Sequence, residues 1–456
     1  MFFVNDDYFD QGYLAQQQST FEQLTLSSES RIAVCLEDTA LWLALCFYLK
    51  SIQASVMPIH PAMPKEAALR MAQKAGCSRL FYHGLETEHT CTIDTESNTI
   101  NNFTNSINEV NNIKRDSGVL IQMSSGTTGE PKCIDRSWQS IDREIESYLS
   151  VFTLPNQMTP LIACPVSHSY GLICGVLVAL ARKKMARGQT PRVITNINPK
   201  YLVKTIQGAD KPLLYTSPTM LQGVLRLLPK EQKLHAAMSS GTILPKHTFD
   251  QFSPRIEHFF QQYGCSEAGC ITINQNMTSA IDVGTPLPHL SVTAGNSADA
   301  PDEVVVTTDA GQVIHTNDLG YLNVDAQGQA MLSFVSRLDD TIIVAGLNVY
   351  PQEVEDLILS HPHITDAVVF KVEDKYAGQR VGLQFTAQQH IEPSELRAWC
   401  QANLASFQIP QYFDQVEQIE RLANGKVNRK QIAQTFQETQ TKNARARAQS
   451  ANTQPA

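Results

Sequence analysis

A run of small polar residues in the first third of the chain has the composition of a phosphate-binding loop. From Met123 to Lys132 it reads Met-Ser-Ser-Gly-Thr-Thr-Gly-Glu-Pro-Lys, and it follows the apolar run Val119–Ile121, which predicts a buried strand. Glycines let backbone N–H groups approach a polyanion, hydroxyls donate hydrogen bonds, and the lysine adds positive charge. The Walker pattern is not met, because Glu-Pro precedes the lysine and a cysteine follows it. The run therefore predicts a different phosphate loop, although a flexible Ser/Gly linker has a similar composition.

Four further segments carry residues suited to binding a nucleotide. In chain order they are Phe259–Glu267, Thr316–Tyr321, Ser336–Glu355 and Asn424–Arg429. The first predicts a short strand that stops at a glycine turn and presents an aromatic ring, a hydroxyl and a carboxylate. The second predicts an acidic turn, and the third a charged turn leading to a helix that begins near Pro351. The fourth places a lysine in an Asn-Gly turn.

In type, order and approximate spacing, these five motifs resemble those of the adenylate-forming superfamily. That superfamily includes acyl-CoA synthetases, aryl-CoA ligases, peptide-synthetase adenylation domains and firefly luciferase, and the match runs from about residue 32 to residue 432. One motif alone would be a weak signal, but five in order are specific. The resemblance implies an enzyme that uses ATP and Mg²⁺ to convert a carboxylate to an acyl-adenylate, releasing pyrophosphate. A thiol then displaces AMP.

The resemblance also implies roles for the matching positions. The residues that would grip the β- and γ-phosphates are Ser124, Ser125, Gly126, Thr127, Thr128 and Lys132. Those that would bind the adenosine are Gly241, Tyr263, Gly264, Asp318 and Arg337. Those that would act near the reacting atoms are Ser266 on the α-phosphate, Glu267 on Mg²⁺, Lys426 between carboxylate and α-phosphate, and His168 at the acyl pocket. Taken singly, these residues could also be core aromatics, turn residues or exposed charges.

The same family rotates its C-terminal domain between the two half-reactions. Asp339 matches the hinge position, and Gly346 would line the tunnel for the pantetheine thiol. Two positions depart from the family pattern. Asn317 and Ser336 stand where glycine is usual, before Asp318 and Arg337 respectively, so these turns are expected to be reshaped while activity survives.

The stretch Pro165–Gly171 bears on the choice of acid. It resembles the P-x-x-H-x-x-G stretch of fatty-acid and aryl CoA ligases, and it lacks the Asp with which amino-acid-activating domains pair the substrate ammonium. A fatty or aryl acid is therefore favoured. The acceptor would be coenzyme A or the phosphopantetheine arm of a carrier protein supplied in trans, because no carrier motif follows Lys426. A net charge of −9 weighs slightly against docking an acidic carrier.

Two other functions are kept open by the sequence. One is a stand-alone amino-acid adenylation protein that loads a separate carrier, which the missing Asp disfavours. The other is a degenerate protein that only binds nucleotide or acyl ligand, which the retained Glu267, Asp318, Arg337 and Lys426 disfavour.

The elements that must position these residues are predicted from the apolar pattern. The segments at 32–36, 39–50, 54–59 and 65–75 alternate strand, helix, strand, helix, which favours an α/β fold with a parallel sheet covered on both faces. Residues 280–335 favour a small antiparallel barrel or sheet. The expected organisation is an N-terminal adenylation domain (1–338), a small mobile α+β domain (339–436) and a disordered polar tail (437–456).

Composition limits the remaining possibilities. The acidic charge argues against nucleic-acid binding, and no apolar run reaches the roughly 18 residues of a membrane helix. The ten cysteines include no C-x-x-C pair, which favours reduced thiols in a cytoplasmic protein, either a monomer or a homodimer.

Overall fold

The fold was analysed in a computed structural model that describes residues 1–86, 89–93, 118–124, 132–241, 244–324, 328–344, 347–374, 378–422 and 427–451. The strands are β1 (Phe2–Val4), β2 (Asp7–Phe9), β3 (Arg31–Cys35), β4 (Ser55–Pro58), β5 (Arg79–Tyr82), β6 (Thr90–Thr92), β7 (Val119–Ser124), β8 (Lys132–Ser137), β9 (Thr159–Ile162), β10 (Arg192–Val193), β11 (Pro212–Thr216), β12 (Leu234–Ser239), β13 (Ile256–Cys265), β14 (Gly269–Asn274), β15 (Asp282–Pro286), β16 (Leu290–Thr293), β17 (Asp302–Thr308), β18 (Val313–Val324), β19 (Ala330–Arg337), β20 (Ile342–Val344), β21 (Leu347–Val349), β22 (Ile364–Asp374), β23 (Gly378–Ala387) and β24 (Tyr412–Gln415). The helices are α1 (Gln11–Glu22), α2 (Thr39–Ser51), α3 (Lys65–Lys74), α4 (Trp138–Val151), α5 (Val178–Lys184), α6 (Pro199–Gly208), α7 (Pro218–Leu227), α8 (Lys246–Phe252), α9 (Pro351–Leu359), α10 (Pro393–Asn403) and α11 (Arg429–Ala451).

The first sheet has six strands in the order β6-β5-β3-β4-β7-β8. Its centre is parallel, and β8 returns antiparallel to β7, so the predicted phosphate loop joins the two strands of a hairpin at the sheet edge. Helix α2 begins where the Asp38 carboxylate accepts hydrogen bonds from the N–H groups of Ala40 and Leu41. Because seven of its side chains are buried, α2 fits the interpretation of a buried crossover helix.

The second sheet has thirteen strands in the order β16-β17-β18-β19-β15-β14-β13-β12-β11-β9-β10-β1-β2. Strands β9 to β13 are parallel, whereas β14 to β19 are antiparallel, as predicted for residues 280–335. Alternate residues of the parallel strands enter two apolar cores. Leu213 and Tyr215 face one side and Leu214 faces the other, which is the pattern of a sheet covered on both faces. The predicted α/β fold class is confirmed.

The C-terminal part forms a small α+β unit. Strands β20 to β24 form one sheet, and α9 and α10 pack on its core while Ile432 and Phe436 of α11 pack on another face of β22. Asp356 of α9 accepts a hydrogen bond at 3.0 Å from the backbone N–H of Lys246 in α8, which joins this unit to the larger one. The expectation of a disordered tail from residue 437 was wrong up to Ala451, because α11 continues that far. The tail has few large apolar side chains, but Gln, Glu, Ala, Lys and Arg are good helix formers.

Within the described ranges, no helix is both long enough and apolar enough to cross a bilayer. All ten cysteines are free in the structure, and six of them are buried. Burial raises the pKa of Cys46 to about 12.

Candidate active site

Four parallel strands end at one edge of the large sheet. Strands β9, β11, β12 and β13 are neighbours and run in the same direction, so the segments that follow them leave the sheet together. Those segments carry His168 after β9, Gly241 after β12, and Ser266 and Glu267 after β13. In α/β sheets, ligands bind outside the carboxyl ends of the strands. The topology therefore brings four predicted site residues, from three separate segments of the chain, to one edge of the sheet.

The hairpin between β13 and β14 presents the hydroxyl and the carboxylate. Ser266 and Glu267 lie in its three-residue turn, between the paired residues Cys265 and Gly269. A Cβ at Gly264 would lie far inside contact distance of the Gly269 carbonyl oxygen, so the hairpin needs glycine at this position. The prediction that the strand stops at Gly264 was wrong, because β13 runs on to Cys265 with a register shift between Tyr263 and Gly264. The bulge keeps the glycine within the strand.

The predicted adenosine-binding residues form a connected polar chain. The Tyr263 hydroxyl donates to Oδ2 of Asp318 at 2.6 Å, and Nη1 of Arg337 lies 3.2 Å from Oδ1 of the same carboxylate. Nε of Arg337 lies 3.3 Å from Oδ1 of Asp339, the predicted hinge residue. Three elements, β13, β18 and the end of β19, thus fix the orientation of one carboxylate that is 6% exposed.

Burial and the neighbouring charges together shift the pKa values of Tyr263 and Arg337. Burial, and then the Asp318 carboxylate, raise the pKa of Tyr263 well above its usual value of 10, so the phenol remains a donor. Burial opposes the charge of Arg337, but Asp318 and Asp339 outweigh it and raise the pKa of the guanidinium. Tyr263 and Arg337 thus both present donors to the Asp318 side chain, whose oxygens are of the type that accepts from a ribose hydroxyl.

The sequence predicted that Asp318 lies in a turn, and this was wrong. Asp318 lies within strand β18 and pairs with Arg337 on β19. The local distortion is at the preceding residue, Asn317, which has φ = 57°. This is the left-handed region, where glycine is favoured and asparagine is the best-tolerated substitute. Glu303 accepts a hydrogen bond from the Asn317 N–H at 3.1 Å. Asparagine can therefore replace the family's glycine at position 317 because it tolerates this φ, and Asp318 remains paired with Arg337.

Substitutions at Asn317 test whether the positive φ at this position restricts the choice of residue. Asn317→Gly should leave the free energy of unfolding nearly unchanged, whereas Asn317→Val should lower it by about 1–2 kcal/mol because a β-branched residue is strained at positive φ. Urea denaturation measures both. The matched control is Asn323→Val on the same strand, where φ is not positive and valine suits the backbone. Equal stability of the two valine variants would contradict this explanation.

The segment that carries His168 is held by backbone packing. The His168 N–H donates to the Pro165 carbonyl at 3.1 Å, and a Cβ on Gly171 would collide with that same carbonyl. Trp42 of α2 donates from Nε1 to the Val166 carbonyl at 3.2 Å. The backbones of His168 and Gly171 therefore both pack against the Pro165 carbonyl in one compact turn. The His168 side chain is exposed, beyond the carboxyl end of β9.

Sequence reasoning missed two residues of this segment. The Tyr170 hydroxyl donates to the Met238 carbonyl at 2.6 Å and accepts from the Thr216 N–H at 3.1 Å, which ties the segment to the ends of β12 and β11. The Ser169 hydroxyl and the Gln122 carboxamide exchange hydrogen bonds at 2.6 and 2.8 Å. Since Gln122 lies on β7, the acyl-pocket segment contacts the hairpin that carries the phosphate loop. A polar residue in an otherwise apolar strand was the available signal.

The phosphate-loop hairpin is described only up to its two ends. Ser124 closes β7 opposite Lys132, the exposed first residue of β8. Several predicted site residues lie outside the described ranges: Ser125, Gly126, Thr127, Thr128, Gly346 and Lys426. The Gln122–Ser169 contact places this hairpin beside the segment that follows β9, while the roles of these six residues remain predictions.

Two family models match the chain. One, described as AMP-binding enzyme, matches residues 19–312, and another, described as AMP-binding enzyme C-terminal domain, matches residues 353–426. The chain belongs to the AMP-binding enzyme family. It is an adenylate-forming acid–thiol ligase that uses ATP, in agreement with the sequence prediction.

Named relatives and a solved structure resemble the chain over most of its length. It is 36% identical over 416 residues to the 3,4-dihydroxybenzoate–[aryl-carrier protein] ligase of Bacillus anthracis, covering 91% of this chain and 93% of that one. It is 24% identical over 356 residues to the 2-succinylbenzoate–CoA ligase of Bacillus licheniformis, with 72% of each covered. The o-succinylbenzoate CoA synthetase of Bacillus subtilis, solved with its acyl-adenylate intermediate, shares the fold with a TM-score of 0.76 at 20% identity, covering 94% of each chain.

Proposed function

We propose that this ligase activates an aromatic carboxylic acid and transfers the aryl group to the phosphopantetheine thiol of a separate carrier protein. The observation that carries the proposal is the 36% identity, over nine-tenths of both chains, with a relative named as an aryl-carrier protein ligase. Relatives named as CoA ligases, including putative ones, match at 22–27% identity over about 70% of their length. The coenzyme A acceptor that the sequence left open is therefore the second candidate.

The chemistry at the strand edge supports an acid without an ammonium group. The segment 165–171 presents His168 and contains no carboxylate that could pair with an amino acid's cation. Ser169 and Gln122 supply neutral hydrogen-bonding groups beside it, and the Tyr170 ring lies across the ends of two strands. A flat ring with polar substituents suits such a lining. The net charge of −9 describes the whole surface and does not decide how the docking face is charged.

Within this function we propose the following division of work. Tyr263, Asp318 and Arg337 hold adenine and ribose, and Gly264 lets the hairpin approach them. Gly241 has φ = 91°, and apart from the glycine and its chain neighbours no atom of the described residues lies within 4 Å of a Cβ placed there, which allows a ligand against the backbone. The groups proposed for the phosphates are Ser124, Ser125, Gly126, Thr127, Thr128, Lys132 and Ser266. Lys426 attracts both reactants, Asp339 is the hinge, and Gly346 lines the thiol's path.

Glu267 is the residue proposed to hold Mg²⁺. Among the described residues, no three His, Cys, Asp or Glu side chains form a metal-binding group. A single carboxylate on a hairpin turn fits Mg²⁺, which is commonly bound by one or two carboxylates together with substrate phosphates. When bound, the ion supplies positive charge that neutralises the triphosphate. Glu267 itself needs only to direct one carboxylate oxygen toward the phosphates.

Pyrophosphate release across a panel of acids tests the proposal. The panel contains hydroxylated benzoates, cinnamates, short to long fatty acids and amino acids, each without acceptor, with coenzyme A, and with a phosphopantetheine-bearing aryl carrier protein. We expect pyrophosphate release with a benzoate. The carrier that bears a free phosphopantetheine thiol should accelerate this release, and the same carrier without its pantetheine arm should not. Acceleration by coenzyme A alone would overturn the carrier as acceptor. Release confined to fatty acids or amino acids would overturn the aryl substrate.

A further inference from the structure

An ion pair outside the predicted site is almost completely buried between the site's segments. Nη2 of Arg136 lies 2.6 Å from Oε2 of Glu144, and the side chains are 5% and 1% exposed. Arg136 lies on β8, the strand that leaves the phosphate loop, and Glu144 lies on α4, the helix that follows. Taking two charges out of water is costly, so such a pair needs close geometry and further hydrogen bonds.

The second oxygen of Glu144 contacts the other two segments of the site. Oε1 accepts a hydrogen bond from the Cys270 N–H at 2.9 Å, two residues after the turn that carries Ser266 and Glu267. The thiol of Cys174 lies 3.8 Å from the same oxygen, in the helical segment Tyr170–Leu177 that follows His168. One carboxylate therefore contacts the β7–β8 hairpin of the predicted phosphate loop, the β13–β14 hairpin that carries Glu267, and the helical segment that follows His168.

Gly269 makes room for this arrangement. Its φ is 75°, and a Cβ there would lie inside contact distance of both the Arg136 guanidinium and the Glu144 carboxylate. The hairpin backbone thus passes directly over the ion pair. The contacts are charged or charge-assisted hydrogen bonds, which constrain direction as well as distance.

We propose that Glu144 and Arg136 are positioning residues that set the distance between the triphosphate-gripping loop and the Ser266–Glu267 turn. The loop must hold the β- and γ-phosphates, and the turn the α-phosphate and Mg²⁺, of one nucleotide. Glu144 connects the supports of both through two hydrogen bonds. Errors of about 1 Å in such alignment can cost about 100-fold in rate. The pair acts on ATP through the hairpins and does not touch it.

The alternative is an ion pair that serves stability alone. A buried ion pair is a weak device for stability, because replacing it by well-packed hydrophobic residues of similar volume is often neutral or stabilising, while removing one partner is damaging. Stability and positioning therefore make opposite predictions for a double replacement. Single removal of Glu144 does not discriminate, since it leaves Arg136 buried and unpaired.

The deciding variant is Arg136→Met/Glu144→Gln, in which the glutamine carbonyl can still accept from Cys270 and the charge pair to β8 is gone. We expect a thermal unfolding midpoint close to wild type, a raised Kd for MgATP measured by calorimetry without acid, and kcat/KM for MgATP in pyrophosphate release lowered about tenfold or more. The control is Asp135→Asn, on the same strand, which breaks a more exposed pair with Arg31 and should change ATP kinetics less than about twofold.

Unchanged Kd and kcat/KM for MgATP in the folded double variant would overturn the proposal. So would a fall in activity that only parallels a lower unfolding midpoint. If the double variant does not fold, Arg136→Lys decides, because it keeps the charge but replaces the fixed Nη2 contact to Glu144 with a flexible ammonium group. Wild-type ATP kinetics in that variant would overturn the proposal, and a raised KM for MgATP with an unchanged unfolding midpoint would support it. Any acid that the enzyme accepts can be used, so a failure of the aryl-carrier proposal remains distinguishable.

Discussion

Replacing Lys426 with alanine should lower the rate of acyl-adenylate formation by about 100- to 1,000-fold, while transfer from a preformed adenylate to the thiol stays near wild type. This cation is proposed to attract both the carboxylate and the α-phosphate as charge develops, and removal of one such group typically costs that much in rate. Because the contact strengthens in the transition state, kcat should fall more than KM rises.

The two half-reactions provide the measurement. Acid-dependent pyrophosphate release follows adenylation, and disappearance of added acyl-adenylate in the presence of acceptor follows transfer. Lys430→Ala is the matched control, because it removes a lysine from the adjoining start of α11 and should preserve both rates. Equal loss in both half-reactions would contradict a role confined to adenylation. No loss in either would exclude Lys426 from the catalytic residues.

Much of the fold could be predicted because its elements are built from local patterns. The apolar run at 39–50 and the strands on either side of it were sufficient to predict β3, α2 and β4. Serine is a favoured residue at helix N-termini, and the Ser137 hydroxyl caps α4 by accepting from the Ser140 N–H at 3.1 Å. Apolar spacing and capping depend on residues a few positions apart, which a sequence displays directly.

The connections between site segments could not be predicted, because they join residues distant in the chain. Tyr263 and Asp318 are 55 residues apart, and Glu144 and Cys270 are 126 apart. Glu144 falls beside Ile141 and Ile145 on the buried face of α4, so a charge inside that stripe was the only local signal. Asp318 was placed in a turn because Asn-Asp is a turn dipeptide, whereas pairing with Arg337 keeps it in a strand. Tertiary contacts decided these cases.

Severing the buried contact between Arg429 and Glu355 should destabilise the C-terminal unit by about 3–5 kcal/mol. Nη2 of Arg429 lies 2.7 and 2.9 Å from the two carboxylate oxygens of Glu355, and Nη1 lies 3.3 Å from Asp340, next to the proposed hinge. Nε donates to the Val369 carbonyl at 3.0 Å. Since Arg429 follows Lys426 by three residues, Arg429→Met should also slow adenylation.

The local loss and its pH dependence can both be measured. Hydrogen exchange of peptides covering 364–374 should accelerate in Arg429→Met, because β22 loses its anchor. Burial already raises the pKa of Glu355 against the opposing effect of Arg429, and removal of the arginine raises it further. When the pKa of a carboxyl is higher in the folded than in the unfolded protein, the free energy of unfolding falls as the pH rises toward the folded-state pKa. The stability lost in Arg429→Met should therefore be larger at pH 8 than at pH 5.

Arg421→Met is the control for this experiment, because it breaks a pair with Asp366 on the same strand in which both side chains are over one-third exposed. Its cost should stay below about 1 kcal/mol. Similar exchange rates in the two variants would contradict a special role for the buried pair. A large, pH-dependent loss in Arg429→Met alone, with slower pyrophosphate release, would establish that the proposed hinge and the loop of Lys426 depend on one guanidinium.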